Sequence, residues 1–182
     1  MALGIVFWGL LSVWRSAPTS VRYFLWLSMT VNGLIFAGYL AIPTLFGYGD
    51  WFEFIQGLVP EGLWREAIIV IGVILYVGVA FLAVHELEFL QSRVGTERWR
   101  RAWILNLVPY LSGGVAYVLA GLFNPVGVKL ILISAVAASF GGTSAFLWLP
   151  TWSARKSAND NTPQPPNAMP RNWIWITAGG LA

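Results

Sequence analysis

Apolar residues run almost unbroken through four stretches, Tyr23 to Phe46, Ala67 to Val84, Trp103 to Phe123 and Val128 to Leu149. Each is close to the ~20 residues that an α-helix needs to cross about 30 Å of hydrocarbon. The pattern predicts an all-α fold, a polytopic transmembrane helix bundle of about four full spans. The last two stretches meet at Asn124-Pro125-Val126-Gly127 and carry one charge between them, Lys129. Pro125 lacks an N–H and Gly127 tolerates unusual backbone angles, so this turn closes a hairpin without stranding backbone groups in lipid. The final span is rich in small residues, among them Ser139, Gly141, Gly142, Thr143 and Ser144. Small residues let helices approach closely, which drives association in lipid. Ser139, Gly142 and Thr143 are three and four apart and share one face, predicted to meet neighbouring helices.

Shorter apolar stretches flank these spans. Ala2 to Trp14 is too short to cross, and it reads as an interfacial helix or the end of a longer one. Asp50-Trp51-Phe52-Glu53 has the spacing of a capping box, and Trp51, Phe52 and Phe54 make the helix it opens greasy. That helix is expected in the membrane interface. The bundle is expected over residues 1–150. Residues 151–171 then form a polar linker containing Pro163, Pro165, Pro166 and Pro170, with no apolar periodicity. Residues 172–182 turn apolar again as the start of a further, incomplete segment.

Composition agrees with the pattern. Of 182 residues 57% are hydrophobic and 10% charged, against about 25% charged in soluble domains. The absence of Cys excludes disulfides and thiolate chemistry, and a single His excludes a two-imidazole metal site within the chain. The net charge of +3 reads as topology rather than as a nucleic-acid signal. Alternating the spans puts nine of the eleven basic residues on one side, with Arg65 and Lys129 opposite. The positive-inside rule then makes the loops around 15–22, 85–102 and 151–171 cytoplasmic. The expected location is a bacterial inner membrane. The expected partners are the lipid bilayer and other helices or subunits.

Candidate chemistry is sparse. Asn32 lies in mid-span and needs a partner, through an interhelical hydrogen bond or a functional contact. His85-Glu86-Leu87-Glu88-Phe89 begins like the zinc motif H-E-x-x-H, but Phe89 stands where the second His would be. The alternative is the solvated end of a helix, with Glu86 or Glu88 paired to Arg93.

A wider likeness involves Arg22-Tyr23-Phe24-Leu25-Trp26-Leu27, Val31-Asn32-Gly33-Leu34, Gly38-Tyr39 and Gly47-Tyr48-Gly49-Asp50-Trp51. This resembles the later half of membrane proteins related to the site-2 protease family. In that family an early helix bears H-E-x-x-H, and a later one carries an Asn followed by an Asp that completes the zinc site. The resemblance matches Asn32 to that Asn and Asp50 to the metal ligand, with Trp51 replacing the Gly that normally follows. The zinc-binding helix would lie upstream of Met1. The resemblance implies a catalytically incomplete relative or fragment of an intramembrane metalloprotease. It has no cofactor in this chain, and zinc only in a longer protein. The alternatives are a small-molecule or ion carrier along the Gly/Ser face of the last span, and a structural membrane subunit.

Overall fold

The computed structural model describes residues 2–90, 95–122 and 135–158. They are helical, with no strand among the described residues. Three helices are long and apolar enough to cross a membrane, within Thr19–Phe46, Glu61–Leu87 and Trp99–Leu122. The turn Asn124 to Gly127 and the first part of the fourth expected span lie outside the described residues, so about four spans is a finer statement than the structure supports.

Helix α1 (Ala2–Val13) is followed by α2 (Thr19–Phe46), α3 (Asp50–Gln56), α4 (Glu61–Leu90) and α5 (Gly95–Leu122). At 28 residues, α2 is about 42 Å long, more than the hydrocarbon core requires. It ends at Gly47, whose φ of 75° is the left-handed conformation that glycine adopts without penalty. The chain resumes at Gly49, the N-cap of α3. No side chain caps that helix: Asp50 is its first residue and turns instead to Tyr39, so the capping box foreseen from the sequence does not form.

Helices α2 and α4 are antiparallel and build the core. Arg22 lies opposite Glu86, Trp26 opposite Ala83, Gly33 opposite Val79, and Ala41 opposite Gly72. A Cβ on Gly72 would come 2.8 Å from the Ala41 backbone nitrogen. Only glycine allows the helices to cross this closely. Helix α1 packs on α2 through Gly4 and Leu11. The core cluster combines Leu11, Trp26, Leu34, Leu87 and Phe146.

Polar groups hold the spans at chosen heights. Trp26, fully buried, donates its indole N–H to the Ala83 carbonyl at 2.9 Å. Tyr23 donates to the Leu105 carbonyl at 2.8 Å. That carbonyl is a turn before Pro109, which has no N–H to give it. The tyrosine of one span thus satisfies the acceptor that a proline releases in another.

After residue 135 the expected continuous helix is interrupted. Ala137–Gly141 is wound as a π-helix, and Ser144–Leu147 as a 3₁₀-helix, with a turn at Gly142 and Thr143 between them. Helix α6 (Leu149–Ala158) follows, so regular structure continues eight residues into the stretch whose composition reads as linker. Trp152 anchors it, stacked on Phe81 of α4 with ring centroids 5.4 Å apart. Residues 159–171 and the apolar residues 172–182 lie outside the described residues.

Candidate functional site

The broken segment owes its shape to its own side chains. Ser139 donates to the Ala135 carbonyl at 2.6 Å, and Thr143 to that of Ser139. Such bonds to the carbonyl one turn back compete with the backbone ladder and bend helices. Gly141 and Gly142 add little resistance to bending. The Gly142 N–H reaches five residues back to Ala137 at 2.9 Å, the π bond. The Ala145 N–H, which a regular helix would give to Gly141, goes to the Tyr76 hydroxyl of α4 at 2.9 Å. The same hydroxyl lies 3.1 Å from Ser144 Oγ. Tyr110 of α5 donates to the Phe140 carbonyl at 3.2 Å. Two tyrosines from neighbouring helices therefore take over backbone groups at the break. Irregular backbone at membrane depth survives only where such partners exist or where it lines a cavity.

Here it does both. The π segment touches α2 on one side and α5 on the other. At the first contact a Cβ on Gly38 would lie 3.3 Å from the Cα of Gly142. At the second, a Cβ on Gly114 would collide with the Phe140 ring. Between α2 and α5, beside the broken segment, is a cleft of about 520 Å³. Ile35, Gly38 and Ile42 of α2 line one wall, Ala120 and Gly121 of α5 the other, and Ala138 the base. Tyr39, Tyr48 and Tyr117 are the polar members of this lining. The volume falls in the range of small-molecule sites, ~300–1,000 Å³, which are likewise mostly apolar with a few polar groups.

The residues singled out from sequence are not brought together. Asn32 donates to the Ser28 carbonyl of its own helix at 2.8 Å and lies where α1 crosses α2. Asp50 accepts at 2.7 Å from the hydroxyl of Tyr39, which lines the cleft. Asn32 is fourteen residues from the end of α2, about 21 Å along the axis. His85 and Glu86 are near the opposite end of the bundle. Glu86, 9% exposed, is 3.9 Å from Arg22 and 3.6 Å from His85 Nδ1. Arg93, the partner foreseen for Glu86 or Glu88, lies outside the described residues. Among the described residues no group of three or more His, Asp or Glu could hold a metal ion.

Ser139, Gly142 and Thr143 are buried together on the packed side. Gly141 points away from it, with nothing near the position its Cβ would take. Sequence reading missed Tyr76, Tyr110 and the cleft wall that Ile35, Gly38 and Ile42 of α2 form. The available signal was Gly141-Gly142-Thr143-Ser144, which marks a bend as well as a close contact.

These features define an all-α chain with three potential membrane spans and a helix broken beside an apolar cleft. Among known proteins, no family model, curated sequence or solved structure matches it, and nothing links it to the site-2 protease family.

Proposed function

We propose that the protein is a membrane-embedded carrier that takes a small, mostly apolar molecule into the cleft between α2, α5 and the broken helix. The observation that carries this reading is the break itself. A helix interrupted at membrane depth, with its backbone bonds handed to Tyr76 and Tyr110, borders a mostly apolar cleft of about 520 Å³. Discontinuous helices are a common way to place a binding site between spans. The charge bias supports an orientation with the Asp50 end of the cleft outside and the Arg22 and Glu86 end in the cytoplasm.

Helix α5 brings Ala120 to the cleft wall with its side chain exposed, so a larger residue there fills space without displacing a helix. In nanodiscs of zwitterionic lipid, tetraphenylsilane or tetraphenylphosphonium is expected to raise the Tm of the wild-type protein. A ligand at a hundred times its Kd stabilises by about 2.7 kcal/mol. Ala120→Trp should keep the unliganded Tm and lose the rise. No rise with either probe, or an equal rise in Ala120→Trp, would overturn the reading.

A further inference from the structure

We infer that the cleft selects an organic cation with an apolar body; this rests on the carrier reading above. Among the described residues its lining is apolar apart from three tyrosine hydroxyls, so it supplies affinity for hydrocarbon or aromatic surface but no sign of charge. The sign comes from beside two of the lining tyrosines. Tyr39 and Tyr48 line the cleft, and the Tyr39 hydroxyl is 2.7 Å from Asp50 Oδ2. Asp50 is exposed, and Glu53 follows one turn later in α3.

Arg65, the described cation beside α3, is engaged by other groups. It donates from Nε to the Thr44 carbonyl at 3.2 Å and from Nη2 to the Leu45 carbonyl at 2.8 Å. Its guanidinium also lies 5.5 Å from the Phe52 ring centroid. It caps the end of α2, where the helix dipole favours positive charge. Among the described residues, the charge joined to the cleft lining is therefore a carboxylate, held by the phenol of Tyr39. That combination attracts a diffuse cation through its charge and through the ring faces, and repels an anion. An ammonium or phosphonium centre would rest among Tyr39, Tyr48 and Asp50, and its apolar substituents would extend toward Gly38 and Ala138.

Three probes of one shape and different charge separate this inference from its foundation: tetraphenylphosphonium, tetraphenylsilane and tetraphenylborate. Binding is measured by the rise in Tm in nanodiscs of zwitterionic lipid, which adds no net surface charge. The expected result is that the phosphonium binds about tenfold more tightly than the silane, as one screened ion pair plus a ring contact would give, and the borate least. Asp50→Asn, which keeps an acceptor for Tyr39, should cut the phosphonium's advantage over the silane to the smaller part that the ring contact supplies. Tyr48→Leu, on an exposed side chain, should reduce the preference without restoring borate binding. Equal binding of all three by the wild type would refute cation selection and leave the cleft in place. A preference unchanged in both variants would refute the assignment to Asp50 and Tyr48. Failure of all three to bind would remove the cleft reading and this inference with it.

Discussion

Tyr76 shows what one hydroxyl does beside an interrupted helix. Replacing it by Phe keeps the ring but leaves the Ala145 N–H without its acceptor and removes the contact to Ser144. A polar group left unsatisfied away from water costs about 1–3 kcal/mol. Tyr76→Phe should lower the Tm in mild detergent clearly, and Tyr117→Phe, on an exposed ring of the cleft wall, should barely change it. Equal losses would mean that the break does not depend on its tyrosine. Tyr23 makes a second case. If its bond to Leu105 matters because Pro109 frees that carbonyl, Tyr23→Phe should cost less in a Pro109→Ala background, where the alanine returns an N–H to the helix. A double-mutant cycle with no coupling would contradict this. At this scale the sequence was least readable. Asn32, Asp50, His85 and Glu86 stood out as polar residues beside apolar ones. Yet Asn32 bonds within its own helix, and Glu86 is partnered by Arg22, a residue 64 positions away that no local pattern announces.

Helices were more legible than their junctions. Runs of 18 to 24 mostly apolar residues fix α2, α4 and α5 regardless of what they pack against. Where a span is interrupted, the same letters support two outcomes. Gly141-Gly142-Thr143-Ser144 serves close packing and bending equally, and which one prevails depends on whether a neighbour offers partners for the released backbone. Tyr76 and Tyr110 offer them. Asp50 gives another instance: the spacing to Glu53 suits a cap, but the Tyr39 hydroxyl on the preceding helix claims the carboxylate. Glycines separate the packed faces from the open ones. Gly72→Leu should destabilise the α2–α4 crossing by at least the ~1–3 kcal/mol typical of overpacking. Gly78→Leu, where the space is open, should cost little or nothing. The same contrast is expected between Gly142→Leu and Gly141→Leu, and thermal unfolding of all four variants checks it.

For the whole molecule, the antiparallel pairing of α2 with α4 puts Arg22 and Glu86 at one end and Arg65 with the α2 terminus at the other. The proposed orientation is testable because the chain has no Cys. Ser16→Cys and Gly62→Cys, both at exposed positions, should label from opposite sides of intact vesicles, Gly62→Cys from outside. Labelling of both from one side would refute it. The central claim is that the cleft beside the broken helix holds a ligand. Ala120 faces that cleft, and its neighbour Leu119 is at the same depth on α5, exposed and outside the lining. The most direct measurement compares the thiol labelling rates of Ala120→Cys and Leu119→Cys in nanodiscs, with and without saturating tetraphenylphosphonium. The account predicts that the probe slows labelling at Ala120→Cys several-fold and leaves Leu119→Cys unchanged. Equal rates at Ala120→Cys with and without the probe, or equal slowing at both positions, would contradict it.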